Sequence, residues 1–492
     1  MKRLIFMITL CSIAGFSAMA QGKFQFKFND NGKFKIVQFT DIHWVHGEPT
    51  CEKTIATIKA VLEAEKPDLA ILTGDIAYRV PAREPWTDIP KIFEQAKTPF
   101  AAVFGNHDGE SSTQISRAEI MEILCRSPYF VGEKGPEEIH GCGNYVLPVQ
   151  GSKSGKVSAL LYCFDSNAYT SNPKYGTYAP IYFDQIGWYR AQSDDYARMN
   201  DGDPLPSLAF FHIPLPEYNQ VIGKKNTVGS QGEKPCPPDY NTGLFGAFIE
   251  KQDVMGTFVG HDHDNDYIGI EYYIALAYGR VTGAEAYGKP ERGGRVIELY
   301  EDEFVFDTWI RTPKGVELAF HYPSGISSVD EETMAYLPAR KETPVKQGVS
   351  YTYYEGTFKS VKDIASAKEA GKGSMDYFSV YDAPSEDHFA YEFRTWIKIP
   401  ERGVYNFYLV SDDGSQLYLD DTLVVDQDWS HITRIDGKVA LEAGFHELKV
   451  LFYDDTWRQY LEVGYSSKKI RDRILPEEIL FIPPQVKTDK NR

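Results

Sequence analysis

The stretch KFKIVQFTDIH, Lys33–His43, carries the reading that decides the fold. A run rich in β-formers breaks at once into Asp41 and His43, with no spacer between strand and polar end. The same arrangement returns in DLAILTGD (Asp68–Asp75), PFAAVFGNHD (Pro99–Asp108), SALLYCFDS (Ser158–Ser166), SLAFFHIP (Ser207–Pro214) and DVMGTFVGHDH (Asp253–His263). Continuous apolar runs, instead of strict alternation, predict strands buried on both faces. The spacing of roughly 30 residues between the first strand ends suits βαβ units, and Glu52–Glu65 reads as an intervening helix. These patterns predict a layered α/β domain over 24–313. The runs YYIALAYGR, GRVIELYED and FVFDTWIRT, with no helix between them, complete its sheets.

Beyond Pro313 the pattern is mixed, and 314–350 reads as a linker with some structure. After Tyr351 the period changes. Phe389, Tyr391, Phe393, Ile397 and Ile399 fall on one parity, and Tyr405, Phe407 and Leu409 continue it between turn signals such as Arg402-Gly403 and Ala443-Gly444. Short alternating runs predict an all-β sandwich domain over 351–485.

The chain has 492 residues, 42% of them hydrophobic, and a net charge of −18. Its length suits two domains. The charge argues against a nucleic-acid-binding surface, which needs clustered Lys and Arg. It leaves open a small phosphorylated substrate, since bound metal ions supply local positive charge. The N-terminus has a basic start at Lys2 and Arg3, a short apolar stretch and an Ala18-Met19-Ala20 cleavage pattern, which predict a signal peptide over 1–20. The expectation is an exported protein, periplasmic, cell-surface or secreted, with no transmembrane segment. Cys11 as a lipoprotein cysteine is the weaker reading, because ITLC lacks small residues before it. Cys51, Cys125, Cys142, Cys163 and Cys236 are odd in number and lack CxxC spacing, so no disulfide framework follows.

At the ends of the predicted strands stand Asp41, His43, Asp75, Asn106, His107, His212, His261 and His263. The carboxyl ends of strands in α/β sheets line the ligand crevice, so distant positions can converge there. Oxygen from Asp and Asn with nitrogen from His suits zinc, manganese or iron better than calcium. Two such ions close together need a shared carboxylate and several ligands each. A lone D-x-H or G-D is usually a turn. Here five of the chain's eleven histidines occupy the set. Asp262, Asp264 and Asp266 imitate a calcium loop, but Tyr267 stands where Gly is required and Tyr273 where Glu is required.

The ordered set D-x-H, G-D, G-N-H-D, a lone His and G-H-x-H resembles the calcineurin-like metallophosphoesterase superfamily. FTDIHW, FFHIPLPEY and YGRVTG are similar to its purple-acid-phosphatase-related branch. The resemblance implies a layered β-sandwich core flanked by helices, in which Asp41, His43 and His263 hold one transition-metal ion and Asn106, His212 and His261 a second, with Asp75 bridging. The ions would be divalent or trivalent Fe, Mn or Zn. It implies that His107 meets the substrate phosphate and that Asp108 orients His107. Phosphate esters would be hydrolysed by attack of a metal-bound hydroxide, monoesters favoured over diesters. GDIAY offers Tyr78 where purple acid phosphatases carry an iron-binding tyrosine, yet His43 is also present. His43 is expected as the ligand, with Tyr78 and His46 as pocket residues.

VSDDGSQLYLDDTLVVDQDW, Val410–Trp429, resembles the protective-antigen-type β-sandwich, a module of bacterial glycosidases and yeast adhesins. The resemblance makes Asp412 and Asp413 candidate ligands for calcium and sugar, an acidic turn being the plainer alternative. The rival to the enzyme reading is a glycan-binding or adhesion protein whose metal domain is structural.

Overall fold

The computed structural model describes residues 24–79, 83–110, 114–224, 226–341, 346–429 and 432–483. The expected leader, 1–20, lies outside them. Among the described residues no helix is long and apolar enough to cross a membrane.

The first domain contains strands β1 (Lys33–Phe39), β2 (Leu69–Thr73), β3 (Phe100–Val103), β4 (Tyr145–Gln150), β5 (Val157–Cys163), β6 (Ser207–Phe210), β7 (Val254–Val259), β8 (Ile268–Glu271), β9 (Ile274–Tyr278), β10 (Gly294–Tyr300), β11 (Phe306–Thr312) and β12 (Gly315–Tyr322). Its longer helices are α1 (Thr50–Glu65), α2 (Pro85–Ala96), α3 (Arg117–Leu124), α4 (Phe183–Met199) and α5 (Leu244–Lys251). One sheet runs β12-β11-β10-β1-β2-β3 and the other β4-β5-β6-β7-β9-β8. β1, β2 and β3 are parallel, as are β5, β6, β7 and β9; the outer strands are antiparallel.

The sheets pack face to face. Phe34, Ile36, Leu69, Ile71 and Val103 of one meet Leu147, Leu161, Phe210 and Phe258 of the other in a single core. The intervening residues Val37, Phe39, Ala70 and Leu72 point the opposite way, under α1, α2 and α3. Leu160, Tyr162 and Leu276 lie under α4 and α5 with Tyr189 and Phe248. The order is helix, sheet, sheet, helix. Strands covered on both faces have no solvent side to mark with polar residues, which is why their sequences run apolar without alternating.

Two parts of the expected layout need correction. The first sheet does not stop at Pro313: the chain turns at Thr312–Gly315 and returns as β12, antiparallel to β11, placing Phe320 and Tyr322 in the core. Tyr336–Leu337 then pairs with Thr433–Leu441 of the second sandwich. The stretch read as a linker is thus shared as strands between both units. Its pattern was weak because β12 is an edge strand, with Val316 and Glu317 exposed and only its last residues buried.

The second unit is a sandwich. One sheet runs Tyr336–Leu337, Thr433–Leu441, Gly403–Asp412, Tyr460–Ser466, Arg473–Ile474; the other runs Glu369–Met375, Val349–Glu355, Phe389–Ile399, Gly444–Asp454, Ser415–Leu419, Thr422–Gln427. Phe389, Tyr391, Phe393, Ile397 and Ile399 face inward with Phe407, Leu409, Val450 and Phe452. The period-two pattern here marks one wet face and one dry face.

Candidate metal centre

Asp41 and His43 follow β1, Asp75 follows β2, Asn106 and His107 follow β3, His212 follows β6, and His261 and His263 follow β7. The carboxyl ends of both packed sheets therefore open on one cleft. The ligand atoms of Asp41, His43 and His263 lie within 4.8 Å of one another, and so do those of Asp75, His212 and His261. Asp75 Oδ2 stands between the two groups, 3.2 Å from His212 Nε2, 3.7 Å from His43 Nε2 and 3.8 Å from His107 Nε2. His263 Nε2 is 3.2 Å from Asp41 Oδ1, and His261 Nδ1 is 3.3 Å from His212 Nε2.

Local structure makes this convergence possible. Asp41, His43, Asp75 and His261 have φ of +50°, +45°, +48° and +82°. Non-glycine residues there cost on the order of 1–3 kcal/mol each and persist only when surroundings hold them. The loops hold each other: Asp41 N donates to Gly74 O at 3.1 Å and His43 N to Asp75 O at 2.9 Å. Two motif glycines are required by close approach. A Cβ on Gly105 would lie 2.1 Å from Asp75 Oδ1, and one on Gly260 would lie 1.9 Å from Thr40 Oγ1.

The donor set fits transition metals. Buried His43 Nε2, His263 Nδ1 and Asn106 Oδ1 have no hydrogen-bond partner in the protein. A buried polar atom left so costs roughly 1–3 kcal/mol, so such atoms on three residues at these strand ends fit a place for a ligand. His212 Nδ1 donates to Thr73 O at 2.8 Å, which fixes the ring with Nε2 toward Asp75. Burial pushes Asp41 up, but His263 and His212 outweigh it and bring the carboxyl to about 2. Asp75, opposed likewise by burial, is held well below the usual range by His212 and His43. Burial and the neighbouring His212 push His261 down to about 3. Anionic oxygens and a neutral imidazole are the forms that bind a cation.

His107 is partly exposed, and its backbone N–H donates to Asp75 Oδ1 at 2.8 Å. The expectation that Asp108 orients it is wrong. Asp108 is wholly buried and accepts from the backbone N–H of Ile76 at 2.8 Å, Ala77 at 3.0 Å and Gly105 at 2.9 Å. It pins the loop after β2 to the loop after β3, and burial with the nearby Asp75 pushes it up to about 7. The partner of His107 is Glu110, with Nδ1 to Oε1 at 2.7 Å. His107–Gly109 forms a 3₁₀ turn, in which residues three apart eclipse and adjacent residues diverge.

Tyr78 lies as expected beside the centre, its ring 5.0 Å from that of His43 and 5.2 Å from that of His107. His46 does not join the groups above. It turns to the Asp88 carboxylate on α2, Nδ1 to Oδ2 at 2.6 Å. Sequence reasoning missed Tyr287, stacked on His263 at 4.0 Å, and Tyr178, edge-on to His261 at 4.6 Å. Nothing in their local sequence marks them. The acidic residues around the last two histidines are engaged by protein donors. Asp262 accepts from Tyr278 Oη at 2.7 Å, Asp264 from Lys289 N at 2.6 Å and Asp266 from Ser230 N at 2.5 Å.

Residues 34–265 match the family model for the calcineurin-like phosphoesterase, and 345–478 match that for the PA14 domain. The probable inactive purple acid phosphatase 29 of Arabidopsis thaliana is 34% identical over 304 residues, 55% of this chain and 78% of the relative. The chain belongs to the calcineurin-like phosphoesterase family. It is also similar to the phosphatase DCR2 of Saccharomyces cerevisiae, 30% identical over 345 residues, 62% of this chain and 58% of the relative. A dimetal phosphatase from Danio rerio aligns with a TM-score of 0.39 and 11% identity, over 58% of this chain and 98% of that one. The relatives support the phosphoesterase fold and its purple-acid-phosphatase kinship, and some bear the word inactive in their names.

The PA14 domain has its own cluster. Asp412 and Asp413, joined by a cis peptide, end the strand Gly403–Asp412, and Asp413 Oδ2 accepts from Asp455 N at 2.8 Å. Asp454, which sequence reasoning passed over, is wholly buried with neither carboxylate oxygen bonded to protein. Burial and the surrounding Asp413, Asp387, Asp412 and Asp455 push it up to about 7. An open cleft of about 610 Å³ lies alongside, lined by Tyr381, Glu386, Asp387, Thr456, Trp457 and Gln459.

Proposed function

We propose that this chain is a dinuclear metal-dependent phosphoric ester hydrolase acting on monoesters in preference to diesters. Asp41, His43 and His263 would hold one ion and Asn106, His212 and His261 the other, with Asp75 serving both. When bound, iron, manganese or zinc supplies Lewis acidity at phosphoryl oxygen and activates water for attack on phosphorus. The protein's own part falls to His107. Its Nε2 faces the centre and its Nδ1 is taken by Glu110, so it can donate a hydrogen bond to the phosphoryl group or a proton to the leaving oxygen. Tyr78, Tyr178 and Tyr287 wall the cleft.

The observation that carries this reading is His107 itself. A purely structural metal site closes its coordination sphere and has no use for a partly exposed imidazole aimed into it. That also separates the proposal from its rival, a glycan-binding protein with a structural metal domain. The test is metal analysis together with turnover of an aryl phosphate monoester and the matching diester. The expected result is two transition-metal ions per chain and faster monoester hydrolysis. Tight metal binding with no turnover, across metals and pH, would sink the enzyme reading and favour the rival.

The PA14 domain is assigned calcium and glycan binding, supported by the partnerless Asp454 beside Asp412 and Asp413 and by the aromatic cleft. A glycan array run with and without calcium checks this, and no binding in either condition removes it. Export is proposed from the leader sequence alone.

A further inference from the structure

The loop after β5 sends Tyr169 across the cleft to the loop after β3, which belongs to the other sheet. Asn106 Nδ2 donates to Tyr169 Oη at 3.1 Å. Tyr169 Oη donates in turn to Glu110 Oε1 at 2.7 Å, the same oxygen that meets His107 Nδ1 at 2.7 Å. Tyr169 is stacked on Tyr178 with ring centroids 5.7 Å apart, and a bridge between residues 169 and 178 closes their loop. Two side chains whose orientation matters thus end on one tyrosine–carboxylate pair. An asparagine presents either oxygen or nitrogen, and a neutral imidazole presents either of two nitrogens; each choice is set by the bond made at the other end.

We propose that Tyr169 and Glu110 are a coupled positioning pair, which turns Asn106 Oδ1 toward the metal and His107 Nε2 toward the leaving oxygen of the ester. The inference rests on the phosphoesterase reading above and extends it to residues outside the ordered motifs. In the step His107 enters as the imidazolium, with hydrogen on both ring nitrogens; the ester P–O bond breaks as its Nε2 proton passes to the leaving oxygen, which leaves the neutral ring with hydrogen on Nδ1. A water oxygen takes its place on phosphorus with one hydrogen, and the other water proton restores His107. Throughout, the Nδ1 proton remains with Glu110 as acceptor. Asn106 Oδ1, buried with no protein partner, is the atom such a device leaves pointing inward.

The experiment compares Glu110→Ala, Glu110→Gln and Tyr169→Phe with wild type in the zinc-loaded full chain. Aryl phosphates of graded leaving-group pKa read the proton transfer. Glu110→Ala should lose about 10–100-fold on phenyl phosphate, with a much smaller loss on 2,4-dinitrophenyl phosphate, whose leaving group needs little protonation. Glu110→Gln keeps an acceptor oxygen and should recover most of the loss while guarding against a folding defect. Tyr169→Phe keeps the ring stack and should weaken zinc affinity by about tenfold, through a freed Asn106 amide. Losses equal across all leaving groups, or unchanged zinc affinity in Tyr169→Phe, would overturn the pair.

A second readout needs no turnover. The ¹⁵N shifts of His107 in the zinc-loaded protein, read at a pH where the ring is neutral, should report hydrogen on Nδ1 in wild type and a mixture of tautomers in Glu110→Ala. An identical tautomer in both removes the role given to Glu110, whether or not the chain hydrolyses phosphate esters. Absent turnover with the expected tautomer change removes the hydrolase reading alone.

Discussion

The cleft around Asp75 and the turn around Asp413 both gather carboxylates away from solvent, and they manage that charge differently. In the cleft, histidines stand within 4 Å of Asp41 and Asp75 and hold both carboxyls low. At the turn, Asp454 has other aspartates around it and rises to about 7. Mixed nitrogen and oxygen donors suit a transition metal, while an all-oxygen cluster suits calcium. The cleft is assembled by strands of two sheets, so its groups are brought from far apart. The turn is assembled within one sandwich, from the ends of two strands.

The contrast can be broken by single changes, taken from the largest expected effect down. Asp75→Ala removes the carboxylate shared by both ligand groups. Metal analysis should fall well below two ions, and turnover by about 10³-fold or more, while any calcium response of the PA14 domain stays intact. His107→Ala should keep both ions and lose about 10²–10⁴-fold in kcat/KM; loss of metal together with activity would make it a ligand instead. Gly105→Ala forces Asp75 aside, because its Cβ would sit 2.1 Å from Oδ1. Metal affinity should drop by about 10–100-fold, measured by competition with a chelator.

The smallest effect belongs to the turn. Asp454 has a folded value of about 7 against about 4 for a free aspartate. The folded state keeps this proton longer. Its contribution is therefore full below about pH 4 and is lost as pH rises through 7. Calcium should restore it: at saturating calcium, melting of the full chain near pH 7 should show the PA14 transition raised by roughly 5 °C. Asp454→Ala should abolish both the calcium shift and the pH dependence. A shift that survives this substitution would place calcium elsewhere.

Much of the fold was legible because burial leaves a periodic trace. Strands covered on both faces read as the unbroken runs ending at Thr40, Thr73 and Phe104, and the sandwich reads as alternation from Phe389 to Ile399. β12 escaped because an edge strand with exposed Val316 and Glu317 leaves little trace. The metal cleft was legible because its donors are the residues at strand ends, in order. The error at Asp108 came from adjacency in sequence. A 3₁₀ turn hands His107 to Glu110 and sends its neighbour Asp108 inward to three backbone N–H groups. Tyr169, Tyr178 and Tyr287 carry no motif at all, since a residue that enters a site from a distant loop owes its place to packing.

The sequence by itself determined the donor types, their order along the chain, the layered α/β core and the change to an all-β sandwich. Those depend on side-chain chemistry and on local periodicity, both written residue by residue. Only the tertiary structure decided that Asp108 turns away from His107, that Glu110 and Tyr169 reach His107 and Asn106, and that Asp454 joins Asp412 and Asp413. Each of those depends on the distance between strands or loops that packing brings together, and such distances leave no local mark in the chain.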